Sequence, residues 1–157
     1  MIMKNKKILV RDIGKQSFSE AWEYQEKIFK KIINQKVQNR SKDQKIETKN
    51  FLILTEHNHV YTIGKSGNLN NLLIDQDELN KREIEYYKIN RGGDITYHGP
   101  GQIMVYPIFD LDHFFTDIHM YLRFLEQTVI DSLDYFGIEA GRNQGKTGVW
   151  IDIDTPF

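Results

Sequence analysis

The sequence predicts an α+β fold, a mixed and largely antiparallel sheet packed by helices. Two long segments repeat apolar residues at helical spacing, while six shorter runs are rich in β-branched and aromatic residues. Several of those runs follow one another with only a glycine turn between them. Parallel neighbours need a longer crossover, so a doubly wound sheet is excluded.

Taken in order, Lys7–Ile13 reads as a first strand, ended by Gly14. Ser17 with Glu20 three residues later is a capping-box signature, and Phe18, Trp22, Gln25, Phe29, Ile32 and Ile33 then recur at helical spacing. The polar run Asn34–Asn50, with Lys36, Arg40, Lys42, Lys45 and Lys49, reads as a flexible connection. Phe51–Thr55 suits a buried strand, and Val60–Ile63 a second one closed by Gly64. Asp75 with Glu78 caps a short helix, and Glu85–Asn90 and Ile103–Ile108 flank a glycine-rich segment as strands. Pro107 places the end of the latter strand there, or on an unpaired side. A second long helix opens at Thr116, with Ile118, Leu122, Leu125, Val129, Leu133 and Phe136 on one face and Gly137 as its stop. Thr147–Ile153 reads as a last strand, up to Pro156. The two long helices are expected to cover one sheet face, leaving the other for a site.

A length of 157 residues suits a single domain, residues 1–157, with a real core. No apolar run approaches the roughly 18 residues of a membrane span, and the N-terminus lacks a signal-peptide core. The expected compartment is the cytoplasm, with no membrane partner. There is no cysteine, which removes disulfides, thiolate metal sites and a cysteine nucleophile from this chain.

Charge is segregated beneath a net of −1. Residues 1–50 hold 13 Lys and Arg against 6 Asp and Glu, whereas residues 100–157 hold 3 against 9. A basic N-terminal third attracts acidic partners, or is simply a solvated helix face. It lacks the interleaved aromatics of a single-strand nucleic-acid surface, so no nucleic-acid partner is expected.

The densest functional signal is Arg91-Gly92-Gly93-Asp94-Ile95-Thr96-Tyr97-His98-Gly99-Pro100-Gly101-Gln102. Glycines let the backbone press against a ligand, and an imidazole on such a platform orients a polar group or exchanges a proton. Arg91 either meets the ligand or holds the loop through carbonyls. Other constellations are weaker. Gly141–Thr147 resembles a phosphate-binding loop, but three residues rather than four separate its glycines and no helix pattern follows. His57 and His59 read as a structural turn rather than a metal pair, and His113 and His119 as exposed polar residues among Asp110, Asp112 and Asp117. No metal and no cofactor is expected.

The Arg91–Gln102 segment, followed by Tyr106-Pro107-Ile108 and Asp110-Leu111, resembles the signature of the lipoyl(octanoyl) transferases, the LipB family. Glu56-His57 with Val60–Gly64 is similar to the family's upstream motif, and Gly137-Ile138 with Thr147–Trp150 to its downstream one. The resemblance runs from about Leu9 to Ile153. It implies the biotin/lipoate ligase-like fold (the class II synthetase-biotin ligase fold), here without its C-terminal part. It also implies transfer of octanoyl from octanoyl-acyl carrier protein to a lysine of lipoyl-accepting domains, those of 2-oxoacid dehydrogenase and glycine cleavage proteins. The residues it assigns to substrate binding are Arg91, Gly92, Gly93, Asp94, Ile95, Thr96, Tyr97 and His98. The family's catalytic cysteine and lysine follow the Thr-Gly-Val-Trp strand, and Lys146 precedes it, so no catalytic residue is assigned here. The expectation is an N-terminal two-thirds, inactive as a transferase alone. The alternatives are a non-catalytic acyl- or carrier-binding fragment and an ATP-dependent lipoate-type ligase.

Overall fold

The computed structural model describes residues 4–41 and 46–152. Strand β1 (Ile8–Gln16) pairs in parallel with β2 (Asn50–His57), and the helix α1 (Phe18–Asn39) is the crossover that parallel pairing requires. Gly14, at φ 64°, bulges β1 rather than ending it: Ile13 and Gly14 together face Thr55, whose hydroxyl donates to the Gly14 carbonyl at 2.7 Å.

Ser17 caps α1 as a full capping box. Its hydroxyl accepts from the Glu20 amide, and the Glu20 carboxylate accepts the Ser17 amide in return. The helix continues five residues beyond Asn34, so Lys36 belongs to α1 and not to a flexible connection. The reason is tertiary. The Lys36 ammonium meets the buried Asp110 carboxylate at 2.5 Å, and Thr48 donates to the same carboxylate at 2.6 Å. Lys42 and Lys45 of that expected connection lie outside the described residues.

β3 (Val60–Ile63) leads through a 3-10 turn at Leu69–Asn71 and the helix α2 (Gln76–Lys81) to β4 (Glu85–Lys88), again a parallel pair with a crossover. β5 (Ile95–His98) then pairs antiparallel with the other side of β3, and β6 (Met104–Ile108) antiparallel with β2. Among the described residues the result is two three-stranded sheets, β1-β2-β6 and β4-β3-β5. Parallel and antiparallel pairs thus balance, because α1 and α2 both act as crossovers. β5 lies inside the glycine-rich segment, so that segment is partly strand itself and not only a connection between strands. Pro107 is tolerated because β6 is an edge strand among the described residues.

Packing divides the chain after Asp110 into two compact units. The first has its core in Phe18, Ala21 and Ile32 of α1, Ile53 of β2, Val60 and Ile63 of β3, and Leu79 of α2. Apart from Ala21, each of these buried side chains contributes about 1.5–3 kcal/mol. The second unit is built on α3 (Ile118–Tyr135), capped by Asp117 rather than Thr116. It ends in a Schellman turn, in which Ile138 donates to the Leu133 carbonyl and Gly137 to that of Asp134. The strand expected over Thr147–Ile153 is reduced to one antiparallel bridge between Gly141 and Trp150. Ile153 and Pro156 lie outside the described residues.

Candidate functional site

The turn at Asn58-His59 carries the chain from β2 in one sheet to β3 in the other. The candidate residues run beside β3, His98 at its Val60 end next to that turn and Arg91–Asp94 at its Gly64 end, all within the first unit.

Gly64 makes the first close approach. A Cβ there would lie 2.2 Å from the Gly93 carbonyl oxygen and 2.8 Å from that of Gly92, so only glycine lets the Arg91–Asp94 backbone rest on the end of β3. Two backbone bonds fix it, from Gly64 to the Asp94 carbonyl (3.1 Å) and from Lys65 to the Arg91 carbonyl (2.9 Å). The Arg91 guanidinium is turned inward. It donates to the Thr62 carbonyl at 2.6 Å, to the fully buried Thr62 hydroxyl at 2.9 Å and to the Gly92 carbonyl at 2.8 Å. The Asp94 carboxylate accepts from the Asn68 amide at 3.1 Å and from the Asn71 side-chain amide. Gly92 and Gly93 are exposed, and among the described residues their N–H groups donate to no other part of the chain.

Strand alternation then splits the remaining candidates. Thr96 and His98 share the face of Thr62 and Val60, whereas Ile95 and Tyr97 share that of Ile63 and Tyr61. On the first face the His98 ring stacks on Phe18, with centroids 6.4 Å apart and planes 3° from parallel, and meets the edge of His57 at 6.2 Å. On the second, the Tyr97 hydroxyl hydrogen-bonds His59 Nδ1 and its ring packs 5.3 Å from Tyr61. The eight residues therefore do not line one wall. Gly99-Pro100-Gly101-Gln102 closes the segment as a type II turn, with Gly101 at φ 87° and Gln102 donating to the Gly99 carbonyl at 3.1 Å.

Burial lowers the His98 pKa from 6.5, helped by His57 and Arg91 and opposed by a hydrogen bond to Gln102. His57 beneath it is fully buried. Its Nδ1 lies 3.1 Å from the Gln16 carbonyl, which only accepts, so Nδ1 carries the proton. In the neutral ring Nε2 is left to accept from the Tyr106 hydroxyl at 2.8 Å. Burial pushes the Tyr106 phenol up to about 12, against a hydrogen bond from Gln25 that lowers it. This Gln16–His57–Tyr106–Gln25 chain was not legible in the sequence, because its members come from β1, β2, β6 and α1 with no spacing in common.

His57 and His59 occupy unlike environments, one buried and one exposed. Among the described residues no group of three or more His, Asp or Glu is placed to hold a metal. His113, expected to be exposed, is 6% exposed, because the 3-10 turn Leu111–His113 folds it inward. His119 is exposed as expected.

The second unit has a polar hub of its own. The Glu126 carboxylate, almost wholly buried, accepts from Arg123 (2.6 Å), Arg142 (3.0 Å) and the Gly148 amide (3.0 Å). The Gly148 bond comes first among the causes that hold its pKa below the usual carboxylate value. Arg142 also reaches the Arg123 carbonyl and Gln127, so the loop that resembles a phosphate-binding loop is tied to α3 through its own arginine.

Comparison with known proteins identifies the family. Residues 17–154 match the family model described as the lipoyl protein ligase A/B catalytic domain. The chain is 53% identical over 153 residues to an octanoyltransferase of Flavobacterium johnsoniae, and 54% identical over 153 residues to one of Christiangramia forsetii. Both alignments cover 98% of this chain, which spans 66% and 65% of the relatives' lengths. In fold it is similar to P. falciparum LipL1 in complex with lipoate (TM-score 0.61, 18% identity, 93% of this chain and 41% of that one). It is likewise similar to a bi-partite lipoate protein ligase of Thermoplasma acidophilum (TM-score 0.57, 19% identity, 94% and 52%). By the family model over most of its length, the chain belongs to the lipoyl protein ligase A/B catalytic domain family.

Proposed function

We propose that the segment Arg91–His98 is the acyl-thioester site of an octanoyltransferase. In the reaction the octanoyl group leaves a thioester on acyl carrier protein for the Nε of a lysine on a lipoyl-accepting domain. The C–S bond breaks, an amide forms, and the carrier's thiol is released. The acceptors are the lipoyl domains of 2-oxoacid dehydrogenase and glycine cleavage proteins, and the compartment is the cytoplasm. Among the described residues no helix is long and apolar enough to cross a membrane.

The observation that carries this reading is the pair of exposed glycines, Gly92 and Gly93, laid over Gly64 with their N–H groups unengaged. A backbone bare of side chains leaves room for a thioester, and N–H groups with no partner in the protein can stabilise a carbonyl oxygen as it gains charge. Likeness to octanoyltransferases supplies the identity of the acyl group. His98, its pKa lowered by burial, offers a neutral imidazole in the same segment. Without a cysteine the chain offers no thiolate to form an acyl-enzyme, so its own share is to bind and orient.

The test mixes the chain with octanoyl-acyl carrier protein and a lipoyl-accepting domain, and follows both by mass spectrometry and by titration. Octanoyl-carrier should bind more tightly than unacylated carrier, with no gain of mass on the acceptor. Equal binding of the two carriers would sink the acyl-site assignment. Acceptor modification that needs ATP and free octanoic acid would show a ligase instead.

A further inference from the structure

Asp94 and Arg91 sit in the segment assigned to the ligand, yet both of their charged groups are spent on the protein. The guanidinium is committed to Thr62 and Gly92, and the carboxylate to Asn68 and Asn71. Apart from Gly92, which neighbours Arg91 itself, those partners belong to β3 and to the stretch Gly64–Asn71 that follows it. Gly64 and Lys65 add backbone bonds to Asp94 and Arg91, and Gly67 N–H closes the turn on the Gly64 carbonyl at 3.0 Å. Gly67 also has no room for a Cβ, which would come within 2.5 Å of Ile63 and 3.1 Å of the Asp94 carboxylate. An exposed loop seldom receives this many ties.

We propose that Asp94 is a positioning residue: through Asn68 and Asn71 it pins the Gly64–Asn71 loop beside Gly92-Gly93 and makes that loop the second wall of the acyl-thioester site. Arg91 anchors the Gly92-Gly93 side from within, its guanidinium on Thr62 of β3 and its carbonyl accepting from Lys65 of the loop. The proposal rests on the acyl-site reading, and it removes both charges from ligand contact. What Asp94 contributes is the acceptor geometry of its oxygens. An isosteric asparagine retains that geometry for Asn68 and lets the Asn71 amide turn to pair with it.

The test uses the whole chain and S-octanoyl-pantetheine as probe, with two readouts: amide hydrogen exchange at Lys65 and Asn68, and probe affinity by titration. Asp94→Ala is expected to speed exchange at Asn68 about tenfold and to weaken the probe by a similar factor. Asp94→Asn should restore both nearly to wild type. Asn71→Ala, at an exposed position that leaves the carboxylate in place, should give a smaller loss of both and keeps the test decisive if Asp94→Ala fails to fold. If Asp94→Asn binds as weakly as Asp94→Ala while Asn68 stays protected, the charge itself touches the ligand and the proposal is wrong. Faster exchange with unchanged affinity in Asp94→Ala or Asn71→Ala overturns it as well, by taking the loop out of the site. Failure of the wild-type chain to bind the probe strikes the acyl-site reading instead, and is seen before any variant is made.

Discussion

His98 shows how one residue's surroundings set its chemistry. Burial against Phe18, then the neighbouring His57 and Arg91, make the protonated ring costly, and Gln102 offsets only part of this. The folded chain therefore binds fewer protons at this site than the unfolded chain once pH drops below 6.5. Stability from His98 is complete above that value and is lost as pH falls through it towards the lower folded pKa. The thermal midpoint should decline between pH 7 and 5, and His98→Gln should flatten part of that decline. An identical slope in the variant would mean other groups carry it. Gly64 is a steric case. Gly64→Ala sets a methyl group against three carbonyl oxygens, of Arg91, Gly92 and Gly93, the farthest 3.0 Å away. That backbone can retreat only by giving up the Asp94 and Lys65 bonds, so the substitution should cost about 2–3 kcal/mol in urea unfolding. Acyl-thioester binding should be lost with it.

Among elements, the Gly141–Trp150 loop depends on Glu126 of α3. Its carboxylate gathers two arginines and the Gly148 amide, and removal of the side chain leaves all three without their common acceptor. Glu126→Ala should speed hydrogen exchange at Gly148 and Trp150 at least tenfold while the α3 amides near the Asp117 cap stay protected. Uniform loss across α3 would show instead that Glu126 supports the helix and not the loop. Elements with local causes could be read from sequence. The Ser17–Glu20 box, the Asp75 cap and the Gly137 stop each lie within a few residues of the helix they bound. β5 could not be read, because four residues beside glycines become a strand only by pairing with Val60–Ile63, some 35 positions upstream. The reverse holds at Val149-Trp150-Ile151, where among the described residues β-forming side chains find only the Gly141 bridge. In the site, the glycine platform was legible as composition. The inward turn of Arg91 onto Thr62 was one of two open readings, and the His57–Tyr106 pair has no sequence signal at all.

At the scale of the whole chain, near-neutral net charge conceals a basic N-terminal third, with 13 Lys and Arg against 6 Asp and Glu. From Lys27 to Asn39 the helix α1 carries no acidic residue, and Lys27, Lys30 and Lys31 are all exposed on it. Lys36, on the same helix, is engaged by Asp110 and adds little to the outward field. Lys30 pairs with Glu26 at 3.1 Å, but with side chains 70% and 45% exposed that bond is weak and readily exchanged for a partner's carboxylate. On the proposed function, such a surface would raise the rate at which an acidic carrier protein arrives more than it would strengthen the complex that forms. Reversing Lys27, Lys30 and Lys31 to glutamate should therefore slow carrier association about tenfold at low salt and change dissociation little. Because exposed charges are screened within about 8–10 Å at physiological salt, the gap should narrow steadily as salt rises. Stopped-flow association across a salt series separates the outcomes. Equal rates at low salt would dismiss α1 as the docking face, whereas a loss confined to dissociation would place these lysines in direct contact and not in steering.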